Sequence, residues 1–380
     1  MADAPCPRHR CRTSKIKTSN ESTRPLRILQ ILHTQERGGI LTLASMIEDG
    51  LTRHGCEVET AILFRTPDRN GAEKIADAAR MAARLLRGGY DALISYQATA
   101  SILVGLFGRI RGCKTRIVHQ TAVPSATAPY LRIADKIAGS LGFYTANVVN
   151  TRFTLNEFKS YPAAYQRRIV LNEHGIEPPV PTQDREQTRA QFDIPQNSPV
   201  LLHVGRLVAQ KNQKVIVQAL AQLPDVIFVV AGHGEDERAI MDLAQAEGVA
   251  ERAHLLGARG DTDIANLYAA SDLFVFPSVW ETFGLAAAEA AISGIAMIVS
   301  DIPVLREVLA SGNSPVIFAD KDDSAAWTEA IRKTLDHPID VGQLKSFSQD
   351  VAARYSVQRM IDHYLQMLGM EQSAREARDA

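Results

Sequence analysis

Several short segments of this chain combine residue types that suit phosphate and sugar chemistry. In VGRLVAQKNQ, Gly205 is followed by Arg206 and then by Lys211, near the expected start of a helix. A glycine lets the backbone approach an anion, helix N–H groups favour negative charge, and two cations can neutralise a diphosphate. In WETFGLAAAEAAISG, Glu281 and Glu289 are spaced E-x7-E, the first in a loop and the second inside the expected helix. A loop carboxylate can accept hydrogen bonds from the hydroxyls of one sugar, and a helical one from vicinal hydroxyls such as those of ribose. The N–H groups of Phe283, Gly284 and Leu285 at the helix opening can meet a phosphate. AGHGEDE puts Gly232 and Gly234 just past a strand, and Gly38-Gly39 stand in a similar turn in the first half; such turns can lie against a nucleotide. Asp261-Thr262-Asp263 spells a DxD metal signature, but a helical pattern follows at once, so Asp263 is expected to cap that helix and no metal site is expected. Cys6, His9 and Cys11 have no fourth metal ligand nearby.

The elements that must position these residues alternate between strand and helix. LRILQIL (Leu26–Leu32) reads as a strand, Gly38-Gly39 as a turn and Ile40–Leu51 as a helix; strands Cys56–Phe64 and Tyr90–Tyr96 follow, with a helix over Glu73–Leu86 between them. Thr115–Val118, Ala146–Asn150 and Ile169–Leu171 are further candidate strands, and EPPVPTQD reads as a linker. The pattern restarts with strands at Val200–Gly205, Val226–Gly232 and Leu273–Ser278 and helices at Gln213–Leu223 and Glu235–Glu247. The expected fold is α/β: two Rossmann-like domains of parallel sheet, over 26–177 and 178–353, after a basic tail at 1–25. Ligands of such sheets sit beyond the carboxyl ends of the strands, so tandem domains share a cleft.

The 380 residues are 46% hydrophobic and contain no run of 18 apolar residues; the nearest, Ala92–Phe107, is broken by polar side chains, which disfavours a spanning helix. The start lacks an apolar signal core, and the four cysteines form no CxxC pair, so the expected location is cytoplasmic, with peripheral attachment at the inner face of the membrane as an option. Residues 1–180 carry net +10 and residues 181–380 net −11. A basic half can attract an anionic membrane surface, a phosphate-bearing substrate or nucleic acid; the acidic second half and the lack of a recognition motif argue against nucleic acid.

The second half resembles family 4 retaining glycosyltransferases of GT-B fold. Val204–Lys211 resembles their "VGRL…K" and Phe276–Gly294 their "PS…EGFGL…EA…G", in the same order and separation. The likeness extends over nearly all the chain after residue 26, including Arg354–Leu368, which resembles the family's last helix crossing back to the first domain; that helix is expected over about 354–372. The resemblance implies that Arg206 and Lys211 bind the donor diphosphate, that Glu281 contacts the transferred sugar and that Glu289 holds the nucleotide ribose. It further implies that His119 faces the reacting sugar and that Gly38 and Gly39 face the donor phosphates. Two departures are Ala286 in place of the proline of "EGFGLP" and His174 in place of the asparagine of "NGID".

The implied function is a retaining, metal-independent hexosyltransferase without a cofactor. It would move a sugar from a UDP- or GDP-linked donor to a glycan or lipid-linked acceptor, in surface polysaccharide biosynthesis. The family's front-face path, in which the departing phosphate helps deprotonate the acceptor, needs no glutamate nucleophile. The rival readings are a GT-B-fold sugar-nucleotide epimerase and a non-catalytic two-domain sugar-binding protein.

Overall fold

The computed structural model describes residues 24–34, 39–65, 70–119, 127–310 and 314–370, together with Pro124 and Gly312. Residues 1–23, Gly38, and with them Cys6, His9 and Cys11, lie outside the described residues.

The first half runs β1 (Arg27–Leu32), α1 (Gly39–Arg53), β2 (Glu57–Ile62), α2 (Gly71–Arg87), β3 (Ala92–Tyr96), α3 (Ala98–Arg111), β4 (Thr115–His119), α4 (Pro129–Ser140), β5 (Ala146–Val149), α5 (Arg152–Glu157), α6 (Ala163–Gln166) and β6 (Ile169–Leu171). After α7 (Arg185–Gln191) come β7 (Val200–Val204), α8 (Gln213–Leu220), β8 (Ile227–Ala231), α9 (Glu237–Ala246), β9 (Ala253–Gly257), α10 (Asp261–Ala270), β10 (Leu273–Phe276) and α11 (Leu285–Ile292). The chain ends through β11 (Met297–Ser300), α12 (Pro303–Leu309), β12 (Ile317–Ala319), α13 (Ser324–Asp336), α14 (Val341–Arg354) and α15 (Val357–Met367).

The strands form two six-stranded sheets, ordered β2-β1-β3-β4-β5-β6 and β12-β11-β10-β7-β8-β9, and all paired strands are parallel. Parallel strands covered by helices on both faces read as unbroken apolar runs, and β3 and β8 are buried at every position. Each sheet reverses its direction of winding once, between β1 and β3 in the first and between β7 and β10 in the second. The crevice outside the carboxyl ends of strands at such a reversal is where open α/β sheets bind ligands.

The last two helices differ from the single helix expected over about 354–372. Helix α14 packs on α11 of the second half, the chain breaks at Tyr355-Ser356, and α15 packs on α1 of the first half. Ser356 Oγ accepts from the Arg359 N–H at 3.4 Å, capping the new helix. Beside that break the chain from the first half enters the second: the Ile176 N–H donates to the Tyr355 carbonyl at 2.8 Å, and a Cβ on Gly175 would lie 2.4 Å from the Val357 Cα. Glu307 on α12 adds a second tie, accepting from the N–H groups of Arg152 and Phe153 at the start of α5 at 2.6 and 2.8 Å.

Candidate active site

The winding reversal of the second sheet positions the charged residues. The loop after β7 carries Gly205 and Arg206 and closes with a 3-10 turn, Ala209–Lys211; the loop after β10 carries Trp280 and Glu281 and leads into α11. Two hydrogen bonds pin these loops together, from the Val279 N–H to the Gln210 carbonyl (2.8 Å) and from Gln210 Nε2 to the Trp280 carbonyl (2.9 Å). Between them Lys211 Nζ meets Glu281 Oε1 at 2.5 Å, with Glu281 only 8% exposed. The ammonium also sits over the Phe276 ring, 4.7 Å from its centroid. The resemblance gives Lys211 the donor diphosphate and Glu281 the transferred sugar; the structure brings the two into one ion pair. Arg206, by contrast, is exposed and has no ion-pair partner among the described residues.

Beneath the pair lies a neutral support that residue spacing did not reveal. His203 is buried and stacked on Phe276, and burial, outweighing a hydrogen bond to the Val275 carbonyl, holds its pKa down to about 3. Its Nδ1–H donates to that carbonyl at 3.0 Å, which leaves Nε2 to accept from Gln213 Nε2 at 3.2 Å. Gln213 Nε2 also donates to the Arg206 carbonyl at 2.8 Å, so the imidazole and this amide fix the backbone that carries Arg206. The residue after the 3-10 turn, Asn212, has φ 52° and is held by donation from its Nδ2 to the Lys321 carbonyl at 2.7 Å.

Gly232 and Gly234 have a steric reason within the protein. A Cβ on Gly232 would lie 1.8 Å from the Gly205 carbonyl oxygen, and one on Gly234 would lie 2.2 Å from that of Leu207. The turn after β8 is laced to the Arg206 loop by hydrogen bonds from Gly205 N to the Ala231 carbonyl and from Leu207 N to the His233 carbonyl, each 3.0 Å. Gly284, with φ 87°, makes the sharp entry to α11, a conformation that favours glycine. Phe283 turns inward, 2% exposed, packing on His174 and Tyr355 with centroids 4.9 and 5.1 Å away.

Glu289 lies one turn into α11, half-buried, and Tyr268 Oη approaches its Oε2 at 3.5 Å. Burial, and behind it the charge of Asp261, pushes its carboxyl up to about 7. Asp261 and Asp263 both lie in the first turn of α10, whose N-cap is Gly260, which corrects the expectation that Asp263 caps the helix.

From the first half, Gly39 opens α1 against Leu285, the first residue of α11; a Cβ there would be 2.7 Å from Leu285 Cδ1. Two helix N-termini thus meet across the cleft. His119 ends β4, is 3% exposed, stacks between Tyr96 and Tyr364 with centroids 4.9 and 5.7 Å away, and engages the Tyr364 hydroxyl through Nε2. Burial, reinforced by His174, lowers its pKa to about 3, so it is a neutral ring. His174, buried against Asn150, is likewise held down to about 4 by burial.

Chemically, the second edge offers an exposed guanidinium, a paired ammonium and a helix N-terminus, a set suited to an anion. Residues 184–350 match the family model of glycosyl transferases group 1. The D-inositol 3-phosphate glycosyltransferase of Mycolicibacterium smegmatis is 28% identical over 237 residues, covering 61% of this chain and 54% of that protein. The D-inositol 3-phosphate glycosyltransferase 1 of Catenulispora acidiphila is 26% identical over 305 residues, covering 73% and 72%. The chain therefore spans about half the length of the first of these relatives. Anabaena HepE, solved with UDP and glucose, superposes with a TM-score of 0.76 at 17% identity, covering 90% of this chain and 99% of that one. WaaG, a glycosyltransferase involved in lipopolysaccharide biosynthesis, superposes with a TM-score of 0.65 at 16% identity, covering 93% and 98%. The chain has the GT-B fold of these solved structures, and its residues 184–350 match the model of glycosyl transferases group 1.

Proposed function

We propose that the protein is a retaining hexosyltransferase that takes its sugar from a UDP- or GDP-linked donor and needs neither a metal ion nor a cofactor. The observation that carries this reading is the joining of Arg206, Lys211 and the opening of α11 at the winding reversal of the second sheet. The donor diphosphate would lie there, with Arg206 free to turn onto it and Lys211 shared between a phosphate oxygen and Glu281. Solved complexes of HepE with UDP and with UDP-glucose support a nucleotide-sugar donor. In the reaction the bond from the anomeric carbon to the phosphate oxygen breaks, the acceptor oxygen bonds that carbon on the same face, and the acceptor proton goes to the departing diphosphate. The protein's part is to hold both substrates and to stabilise the charge that grows on the leaving group. Glu281 would orient the sugar hydroxyls, Glu289 the ribose, and Gly38 and Gly39 would face the phosphates from the other side.

The acceptor is a glycan or a lipid-linked molecule at an anionic membrane face, in surface polysaccharide biosynthesis. A phosphorylated polyol is a second acceptor class, favoured by the names of the curated relatives. Incubation with radiolabelled UDP- and GDP-hexoses in EDTA, followed by the anomeric configuration of the product, tests the reading. Labelled product of retained configuration is expected. Loss of transfer restored by Mg²⁺ or Mn²⁺ would overturn metal independence, and conversion of the donor to its epimer without transfer would turn the assignment to an epimerase.

A further inference from the structure

The loop that carries Glu281 is held from both halves of the molecule. Glu281 pairs with Lys211 of its own half, but the next two residues lean on the other. Phe283 packs on His174, and the Thr282 carbonyl accepts from the Thr151 hydroxyl at 3.1 Å, a bond between positions 131 apart. Thr151 is buried and its hydroxyl is fully used. Its single proton goes to the Thr282 carbonyl, so its oxygen accepts from the Thr154 N–H at 3.1 Å and from the Thr154 hydroxyl at 2.9 Å.

Thr151 caps α5, and the two residues that follow it are fastened to the second half as well. Glu307 on α12 gives one carboxylate oxygen to the Arg152 N–H and the other to the Phe153 N–H. Such carboxylate bonds are charge-assisted and roughly twice as strong as neutral ones. The Phe153 side chain packs against the apolar core of the second half, in the cluster that holds Phe283 and Leu305. Arg354 steadies the other side, since its guanidinium donates to the Glu307 carbonyl at 3.0 Å and meets Glu173 Oε1 at 3.1 Å. A helix cap needs bonds only within its own helix. Here three consecutive residues, Thr151, Arg152 and Phe153, each grip the opposite half.

We propose that Thr151 and Glu307 are positioning residues for sugar transfer, forming a clasp that sets the Glu281 loop against the first half. Their hydrogen bonds are spent on backbone groups, so they act through the loop and not on substrate. The inference rests on the proposed reaction for what the loop does, whereas the clasp itself is read without turnover. In that reaction Glu281 orients the sugar from the second half and His119 faces it from the first, so the two must keep a fixed spacing. A displacement of about 1 Å among groups that hold a reacting centre can cost on the order of 10²-fold in rate. Thr151 follows β5, whose Val148 is the register partner of His119, so the clasp ties the Glu281 loop to the strand beside His119.

The test joins hydrogen exchange of the full chain, read by mass spectrometry, to steady-state transfer from UDP- and GDP-hexoses. Residues 279–288 report the loop, because the N–H groups of Val279, Ala287 and Ala288 are hydrogen-bonded there. Glu307→Gln turns an NH₂ group toward one of the two N–H donors, and Thr151→Val removes the hydroxyl. Each is expected to speed exchange over 279–288 and to lower kcat by roughly tenfold, while nucleoside diphosphate affinity by calorimetry stays at the wild-type value. Thr151→Ser keeps the hydroxyl and is expected to match the wild type in every readout. So is Arg306→Gln, which removes a cation beside Glu307 whose partner, Asp301, lies in its own half. Faster exchange confined to 152–157, with the loop and kcat unchanged, would make these bonds a cap of α5 alone and overturn the proposal, as would a loosened loop with full kcat. If the wild type transfers nothing from either donor, the proposed reaction fails instead, and exchange over 279–288 still decides the clasp.

Discussion

The two edges of the cleft are built on opposite electrostatic plans. In the first half His119 ends its strand as a neutral ring between two tyrosines, its pKa lowered to about 3 chiefly by burial. In the second half Lys211 and Glu281 form a charged pair at the loop bases, with exposed Arg206 beside it. A neutral, enclosed imidazole can shape a sugar pocket, whereas an exposed and a paired cation can stabilise charge that grows on a leaving group. On the proposed function, the second half would hold the donor phosphate and the first would position the reacting sugar.

Breaking the second edge should give the largest effects. Lys211→Ala is expected to lower turnover by roughly 10²- to 10³-fold and, because it strands the buried Glu281 carboxylate, to cost about 3 kcal/mol of stability by urea melting. Arg206→Ala should lose similar activity with stability unchanged within about 0.5 kcal/mol, since nothing in the fold leans on its side chain. Equal stability losses in the two variants would contradict the paired-versus-free distinction.

Backbone lacing should come next. Gly232→Ala drives a Cβ into a carbonyl and is expected to cost about 2–3 kcal/mol. Gly39→Ala meets only the end of the flexible Leu285 side chain and should cost less than about 1 kcal/mol in denaturant melts.

Glu289 gives a pH-dependent comparison. Its folded pKa of about 7 lies above the unfolded value, so the stability it contributes is present below about pH 4.5 and is lost as pH rises through 7. Glu289→Gln should therefore gain stability relative to wild type across that window, by about 2 kcal/mol at pH 8, and the proposed ribose role of Glu289 further predicts weaker nucleoside diphosphate binding. A flat difference against pH would mean the carboxyl is not held protonated. A small effect is expected on the first edge, where Tyr364→Phe removes the hydroxyl on His119 for about 1 kcal/mol.

Much of the architecture was legible because central strands such as β8 read as apolar runs and glycine follows several of them. The restart of the pattern after Pro199 falls where β7 begins, at Val200. The apolar stretch Ala92–Phe107 proved to be β3 followed by α3, turning at Gln97 with φ 70°, a conformation no local pattern signals. Helix α8 ends at Leu220 rather than Leu223, and the sequence pattern does not mark strands β11 and β12. In the site, residue types were legible but partners were not. Lys211 and Glu281 are 70 positions apart, and His119 and Tyr364 are 245 apart, so both pairings depend on how the sheets wind and how the last helix returns. Gln213 ends the quoted motif and His203 stands just before it, and only burial distinguishes them from surface polar groups.

The division of labour between the edges is tested most directly by calorimetric titration of nucleoside diphosphate, UDP and GDP in turn, into wild type, Arg206→Ala and His119→Gln, with transfer rates measured alongside. Arg206→Ala is expected to weaken nucleotide binding by roughly tenfold or more, while His119→Gln is expected to bind the nucleotide like wild type and to lose transfer. Nucleotide affinity that falls with His119→Gln and survives Arg206→Ala would contradict it.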